Sequence, residues 1–226
     1  MRPCEADWIR DSLLALGPDK ASPLLNLGSS TRHFREVSKP HIEARLLAPL
    51  RAAGFRIVHA DMKQDDGVDL VGDVLDPAYI AQLQAMGFRS IICSNLLEHV
   101  RDPQAVARAC EAIVGEAGHI VVTVPHSYPY HPDPIDTLYR PDPVALARDF
   151  PNSQIVASTI LADGGLIAEE AGKGAANLIA YPVRAGWRIV SGLWRPRIAL
   201  AQLHRLTWLV RSFKVSCATL VVRAAN

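Results

Sequence analysis

LLNLGSST, residues 24–31, is a short apolar run that ends in Gly28 and small polar residues, at a point where a strand can hand over to a helix. A strand end exposes main-chain N–H groups, glycine lets the chain turn at positive φ, and the lack of bulk lets a ligand approach the backbone. By itself the stretch reads equally well as a plain turn. The next two apolar runs raise its weight. FRIVHAD (55–61) reads as a second strand with Asp61 at its carboxyl end, and VDLVGDV (68–74) as a short third strand with Asp73. In a doubly wound α/β sheet the ligand lies outside the carboxyl ends of the strands, where an acid can accept hydrogen bonds from ribose hydroxyls or an adenine amino group. Each aspartate could instead cap the turn after its strand.

Outward from these strands the chain alternates strand and helix patterns, which argues for βαβ units and a parallel sheet. Residues 5–16 suit a short amphipathic leading helix. HIEARLLAPLRAA (41–53) is a helical pattern closed by Gly54 and kinked by Pro49. DPAYIAQLQAMG (76–87) and DPQAVARACEAIVGEAG (102–118) each open with an aspartate cap and a proline and end in glycine. FRSIICSN (88–95) and HIVVTVP (119–125) are apolar enough for central strands buried on both faces. A proline-dense loop covers 125–143, and strands are expected at 153–160 and 215–223 around a basic insertion of about 165–212.

The segment CSNLLEHVRDP (93–103) completes an ordered set with LLNLGSST, HADMK and VGDV over residues about 20–125. On these four motifs the chain resembles the class I S-adenosylmethionine-dependent methyltransferases, in particular small bacterial ones with an LEHV motif and an HPxPxD loop. The resemblance implies an α/β, Rossmann-like fold, a mostly parallel seven-stranded sheet of order 3-2-1-4-5-7-6 with helices on both faces. Residues 215–223 would supply its antiparallel last strand, and residues 1–226 would form a single domain carrying the insertion 165–212. It implies S-adenosyl-L-methionine as cofactor. Leu27, Gly28, Ser29 and Ser30 would approach the methionine moiety, Asp61 with Met62 the ribose, and Asp73 with Val74 the adenine, with Ser94, Asn95 and Leu96 lining the other side. Two positions depart from the family: Asn26 stands where an acid is usual and Ser30 where a second glycine is usual. Asn26 can still make a hydrogen bond but offers no carboxylate to a cationic cofactor. Ser30 adds only a hydroxymethyl group, a small change if its φ is negative.

Methyl transfer from a sulfonium needs donor and acceptor held in line, and a base when the acceptor is a hydroxyl. PHSYPYHPDPIDTLYRP (125–141) concentrates such groups on a proline-stiffened loop, and similar loops occur in family members tied to sugar and cell-surface polymer pathways. His131 is the first choice for the base, oriented by Asp133 or Asp136, with His126 beside it. Tyr130 and Arg140 would meet the substrate, Arg140 through its planar fork. The alternative is that these groups satisfy one another and the backbone. No metal is expected; Glu98 and His99 read as local packing groups.

The net charge of +1 hides an asymmetry: residues 1–170 sum to −8, while residues 171–226 hold nine Lys/Arg and no acid. Trp187, Trp194 and Trp208 lie among these cations, a pattern expected of a helix on an anionic membrane surface through 171–214, or of a lid whose arginines face solvent. Nucleic acid is not an expected partner, because alternating Trp and Leu among the arginines suits an interface better than a phosphate-tracking groove. Four scattered cysteines without metal spacing, no secretory leader and no membrane-length apolar run point to a cytoplasmic protein, with a peripheral seat at the inner membrane face. The expected function is O-methylation of a saccharide or lipid-linked precursor. A non-catalytic binding or scaffold protein of the same fold is the alternative. A nicotinamide enzyme is disfavoured, since GSSTRH lacks the three-glycine fingerprint.

Overall fold

A computed structural model of the chain describes residues 1–131, 135–172, 174–191, 204, 207–209 and 211–224. Seven strands form one sheet in the order β3-β2-β1-β4-β5-β7-β6. The strands are β1 (Leu24–Leu27), β2 (Ile57–Asp61), β3 (Leu70–Val71), β4 (Ser90–Ser94), β5 (His119–Ser127), β6 (Ser153–Gly165) and β7 (Ser212–Val222). The pairs β1·β2, β1·β4, β2·β3 and β4·β5 are parallel. At the far side, Val222 N–H donates to the Gly118 carbonyl and the Val222 carbonyl accepts from Ala117 N–H, which sets the end of β7 against the start of β5. That geometry makes β7 antiparallel.

Side chains alternate across the central strands, and both faces are buried. Leu25, Leu27, Ile91, Cys93, Ile120, Val122 and Val124 pack into one cluster with helices α4 (Pro77–Ala85), α5 (Pro103–Val114) and α6 (Pro143–Arg148). Leu24, Ile92 and Val121 pack on the other face with α1 (Pro3–Leu16), the short α2 (Pro18–Ala21) and the helical stretch that ends in α3 (Ala48–Ala52). Asp76, Asp102 and Asp142 each accept a main-chain N–H of the following turn, and each is followed by proline at the first helical position. Such a start satisfies one orphan donor and removes another.

Two expectations are corrected. The third strand is two residues long instead of 68–74, because the chain turns at Gly72 and Asp73, whose carboxylate accepts from Leu75 N–H. The helix of 41–53 is not simply kinked at Pro49. It passes through a π-turn over Glu43–Leu47, where Ala48 N–H bonds back to Glu43, before α3 begins. Pro49 has no N–H for the Arg45 carbonyl, and that carbonyl instead accepts from Arg10 of α1 at 3.1 Å.

The chain forms two compact units. The first is 1–126, 132–161 and 215–226, and the second is 127–131 and 162–214. The second has its own small core, in which Leu166, Tyr181, Ala185, Trp208 and Phe213 cluster with Tyr128 and Leu209. It carries helices α7 (Leu166–Gly172) and α8 (Ala175–Ser191).

Candidate functional site

The carboxyl edge of the first unit holds the sequence-predicted cofactor residues in two groups. At β1 and β2, Gly28 turns at φ 68, and a Cβ there would meet Leu96 Cδ1 at 3.2 Å. The loops after β1 and β4 therefore touch at Gly28 and Leu96. Ser29 N–H donates to the Ala60 carbonyl at 3.0 Å, and Ser30 N–H donates to Asp61 Oδ2 at 2.8 Å. Asp61 Oδ1 accepts from Lys63 N–H at 3.1 Å. The aspartate thus caps two turns and keeps lone pairs for a hydroxyl ligand. Ser30 sits at φ 55, so the condition under which it would be a small change, a negative φ, is not met. The turn needs the left-handed region that a glycine fills without strain, and a serine there costs about 1 kcal/mol.

Asn26 and His59 are paired in register on adjacent strands, which puts their side chains on one face. Asn26 Nδ2 donates to His59 Nδ1 at 3.1 Å. Burial, with Arg35 adding to it, holds His59 down at about 4, so its ring is neutral and accepts that bond. Asn26 Oδ1 is the atom this position offers in place of a carboxylate.

Arg35, which carries no role in the sequence reading, fastens this half. Its buried guanidinium donates to the carbonyls of Ser29 (3.1 Å), Ser30 (2.6 Å) and Gly67 (2.8 Å). It ties the loop after β1 to the loop after β2. A Cβ at Gly67 would meet Arg35 Nη2 at 2.8 Å, so the tie requires glycine there. Met62 and Asp73 are exposed beside these loops in the chain. The Val74 side chain packs in the core.

At β4 and β5 the picture changes. Ser94 and Thr123 are paired in register, and both donate to Glu5, a fully buried carboxylate of α1. Asn95 Nδ2 donates to the same Glu5 Oε1 at 2.6 Å, and Arg2 N–H donates to Oε2 at 2.9 Å. The side chains of Ser94 and Asn95, expected on the cofactor, are committed to this carboxylate. Nothing in the sequence singles out Glu5 for this role.

Beyond β4, the segment 135–140 docks on the Leu97–His99 turn. Thr137 donates its N–H and Oγ1–H to the Glu98 carbonyl at 2.9 and 3.1 Å, and His99 Nδ1–H donates to the Ile135 carbonyl at 2.5 Å. Arg140 donates to Asp136 at 2.6 Å and to its neighbour's carbonyl. This ion pair is largely buried, so Asp136 and Arg140 satisfy each other where a base partner and a substrate fork were expected. Glu98 is fully buried, and neither its carboxylate oxygens nor Arg140 Nε has a hydrogen-bond partner among the described residues. Burial pushes Glu98 up to about 8, the Glu5 carboxylate adds to this, and Arg140 opposes it.

His126 Nδ1–H donates to the Pro141 carbonyl at 3.1 Å, and His131 Nδ1–H donates to that of Pro129 at 3.2 Å. Both rings thereby present Nε2 as the acceptor. His131 also meets Tyr128 edge to face at 5.0 Å, and Tyr130 is exposed. Asp133 lies outside the described residues.

The sheet order is that of the S-adenosylmethionine-dependent methyltransferase fold, and solved structures agree. A SAM-dependent methyltransferase from Archaeoglobus fulgidus matches with TM-score 0.51 and 11% identity, over 96% of this chain and 94% of its own. A cyclopropane-fatty-acyl-phospholipid synthase-like protein from Lactobacillus casei matches with TM-score 0.58 and 11% identity, over 97% and 90%. The [4+2]-cyclase SpnF matches with TM-score 0.54 and 12% identity, over 99% and 81%. At these identities the likeness is one of fold. No protein-family model matches the sequence, and no curated protein does.

Proposed function

We propose that the chain is an S-adenosylmethionine-dependent methyltransferase that transfers to an oxygen of a saccharide or lipid-linked acceptor. The observation that carries this reading is the pairing of Asp61 at the end of β2 with Ser30 N–H in the loop after β1, across from Gly28 and Leu96. It leaves a carboxylate with spare lone pairs beside a bare main-chain turn, which suits a ribose and the approach of an aminoacyl group. The residues fit the cofactor on this side: Gly28 to Ser30 and Asn26 toward its amino-acid part, Asp61 toward its ribose, and Asp73 with the Val74 main chain toward its base. When bound, the cofactor supplies a methyl group on a sulfonium, an electrophile that needs no metal activation.

The chain's own part is to hold the acceptor in line and take its proton. The carbonyls of Pro141 and Pro129 fix the tautomers of His126 and His131, so that Nε2 would take the acceptor's hydroxyl proton while the methyl passes from sulfur to that oxygen and the neutral thioether leaves. The exposed ring of Tyr130 offers a face for a sugar ring. Calorimetry with S-adenosylhomocysteine tests the reading. Wild type is expected to bind, and Asp61→Ala to bind about 1–3 kcal/mol more weakly through loss of the ribose bond. Absence of wild-type binding, or equal affinity of the two proteins, would overturn it.

A further inference from the structure

Helix α8 (Ala175–Ser191) carries two apolar faces, and among the described residues only one of them has a core. Tyr181 and Ala185 are buried against Leu166, Trp208 and Phe213. On the other side Ile179 is 77% exposed, Val183 74%, Trp187 72% and Val190 59%. At 3.6 residues per turn these four fall within an arc of about 80°, opposite the buried pair. They form one continuous row along the helix. Such a row in water costs free energy unless something covers it.

We infer that this row docks on the surface of an anionic lipid bilayer. Charge complementarity selects the occupant: residues 171–226 hold nine Lys/Arg and no acid, and Arg184 stands exposed on the flank of the row. A second copy of the chain would bring the same cations face to face, whereas phosphate head groups neutralise them. The row is narrow and ends in tryptophan and valine, so it sinks side chains into the acyl boundary while the helix lies in the plane of the interface. No helix among the described residues is long and apolar enough to cross a membrane, so the contact is with the surface. The inference is independent of methyl transfer.

Sedimentation of the full chain with vesicles of phosphatidylcholine, with and without a phosphatidylglycerol fraction, tests it. Wild type is expected to sediment with the anionic vesicles and to leave them as salt rises. The double variant Val183→Ser/Trp187→Ser should bind at least about tenfold more weakly, through lost apolar burial. Arg184→Gln should bind about fivefold more weakly at low salt and no differently at high salt. All these positions are exposed, and unchanged S-adenosylhomocysteine binding or an unchanged thermal midpoint certifies the fold of each variant. A second readout needs no loss of binding: brominated lipid should quench wild-type tryptophan emission, and Trp187→Phe should lose part of that quenching while still sedimenting. Equal sedimentation of wild type and the double variant, equal binding to neutral vesicles, or self-association that the double variant abolishes would each overturn the inference.

Discussion

The β1–β2 half of the sheet's carboxyl edge and the β4–β5 half are built from similar polar residues and use them in opposite ways. At β1–β2 a half-buried aspartate receives main-chain amides from Ser30 and Lys63, and Arg35 draws two loops together by their carbonyls. The bonds to Asp61 come from the backbone and leave it further lone pairs for a ligand. At β4–β5 the donors are the side chains of Ser94, Asn95 and Thr123, and they converge on one carboxylate that α1 inserts from far away in the chain. A polar side chain at a strand end is therefore a ligand candidate in the first half and a structural bond in the second. What separates them is whether the chain's own partners use up the side chain: Asp61 keeps lone pairs beyond its two main-chain amides, whereas Ser94 and Asn95 are spent on Glu5.

The sharpest way to break the contrast is to remove that partner. Glu5→Ala removes the acceptor shared by Ser94, Asn95, Thr123 and the Arg2 N–H, and leaves Thr123 and Asn95 only the Ser94 hydroxyl to donate to. A donor left unsatisfied costs about 1–3 kcal/mol and the re-paired ones lose a charged acceptor, so urea unfolding should show a loss of at least about 2 kcal/mol. Glu5→Gln, which keeps an acceptor oxygen, should lose less. A loss below about 1 kcal/mol for the alanine variant would mean that the cluster is wet, and that the two halves do not differ as described.

The halves also titrate in opposite senses. Glu98, after β4, stands at about 8 in the fold against an ordinary 4.5. The folded chain keeps its proton where the unfolded chain releases it, so the stability it contributes is whole at low pH and is lost as pH rises through 8. His59, on β2, stands at about 4 against 6.5, so the stability tied to it is present above 6.5 and lost on acidification toward 4. Between 4.5 and 6.5 the two slopes offset each other. Above 6.5 only the Glu98 slope remains, about 1.4 kcal/mol per pH unit. Urea midpoints should therefore show a plateau that ends near pH 6.5 and a fall of about 2 kcal/mol by pH 8. Glu98→Gln should abolish the fall. Stability that keeps rising to pH 8 in wild type would refute the assignment.

The two halves were also unequally legible. Strand periodicity and the Asp–Pro helix starts of α4 and α5 mark most element positions, because those signals are local, whereas the sheet order follows only from the family resemblance that the four ordered motifs carry. The same start at Asp142–Pro143 opens α6, a helix that the proline density of residues 125–143 masks. At β1–β2 the candidate residues lie at strand ends and bond to neighbouring loops, so Gly28, Ser30 and Asp61 stand out in the chain itself. At β4–β5 the deciding partner of Ser94 and Asn95 is Glu5, 89 and 90 residues away, and no spacing rule joins them. Arg35 escapes for another reason: its partners are carbonyls of Ser29, Ser30 and Gly67, which every residue type carries. The Arg45 carbonyl that Pro49 leaves without a helical partner is met by Arg10, 35 residues away, again a tertiary fact.

The smallest expected effect sharpens the open half. Asn26→Asp restores the acid usual in the resembled family at a position whose neighbour in register is His59. The neutral imidazole can reverse its tautomer and donate Nδ1–H to the new carboxylate, so the strand pair is kept. The carboxylate's other oxygen then faces the turn at Gly28 with a charge where the amide had only a dipole. A cationic ammonium held there should gain about 1 kcal/mol, roughly fivefold in affinity, while the zwitterion's remaining contacts are unchanged. Calorimetry with S-adenosylhomocysteine and with its analogue lacking the amino group separates this from a general tightening, since the gain should vanish with the analogue. If Asn26→Asp weakens both ligands alike, the amide at this position serves His59 and the β1–β2 half is as self-satisfied as its neighbour.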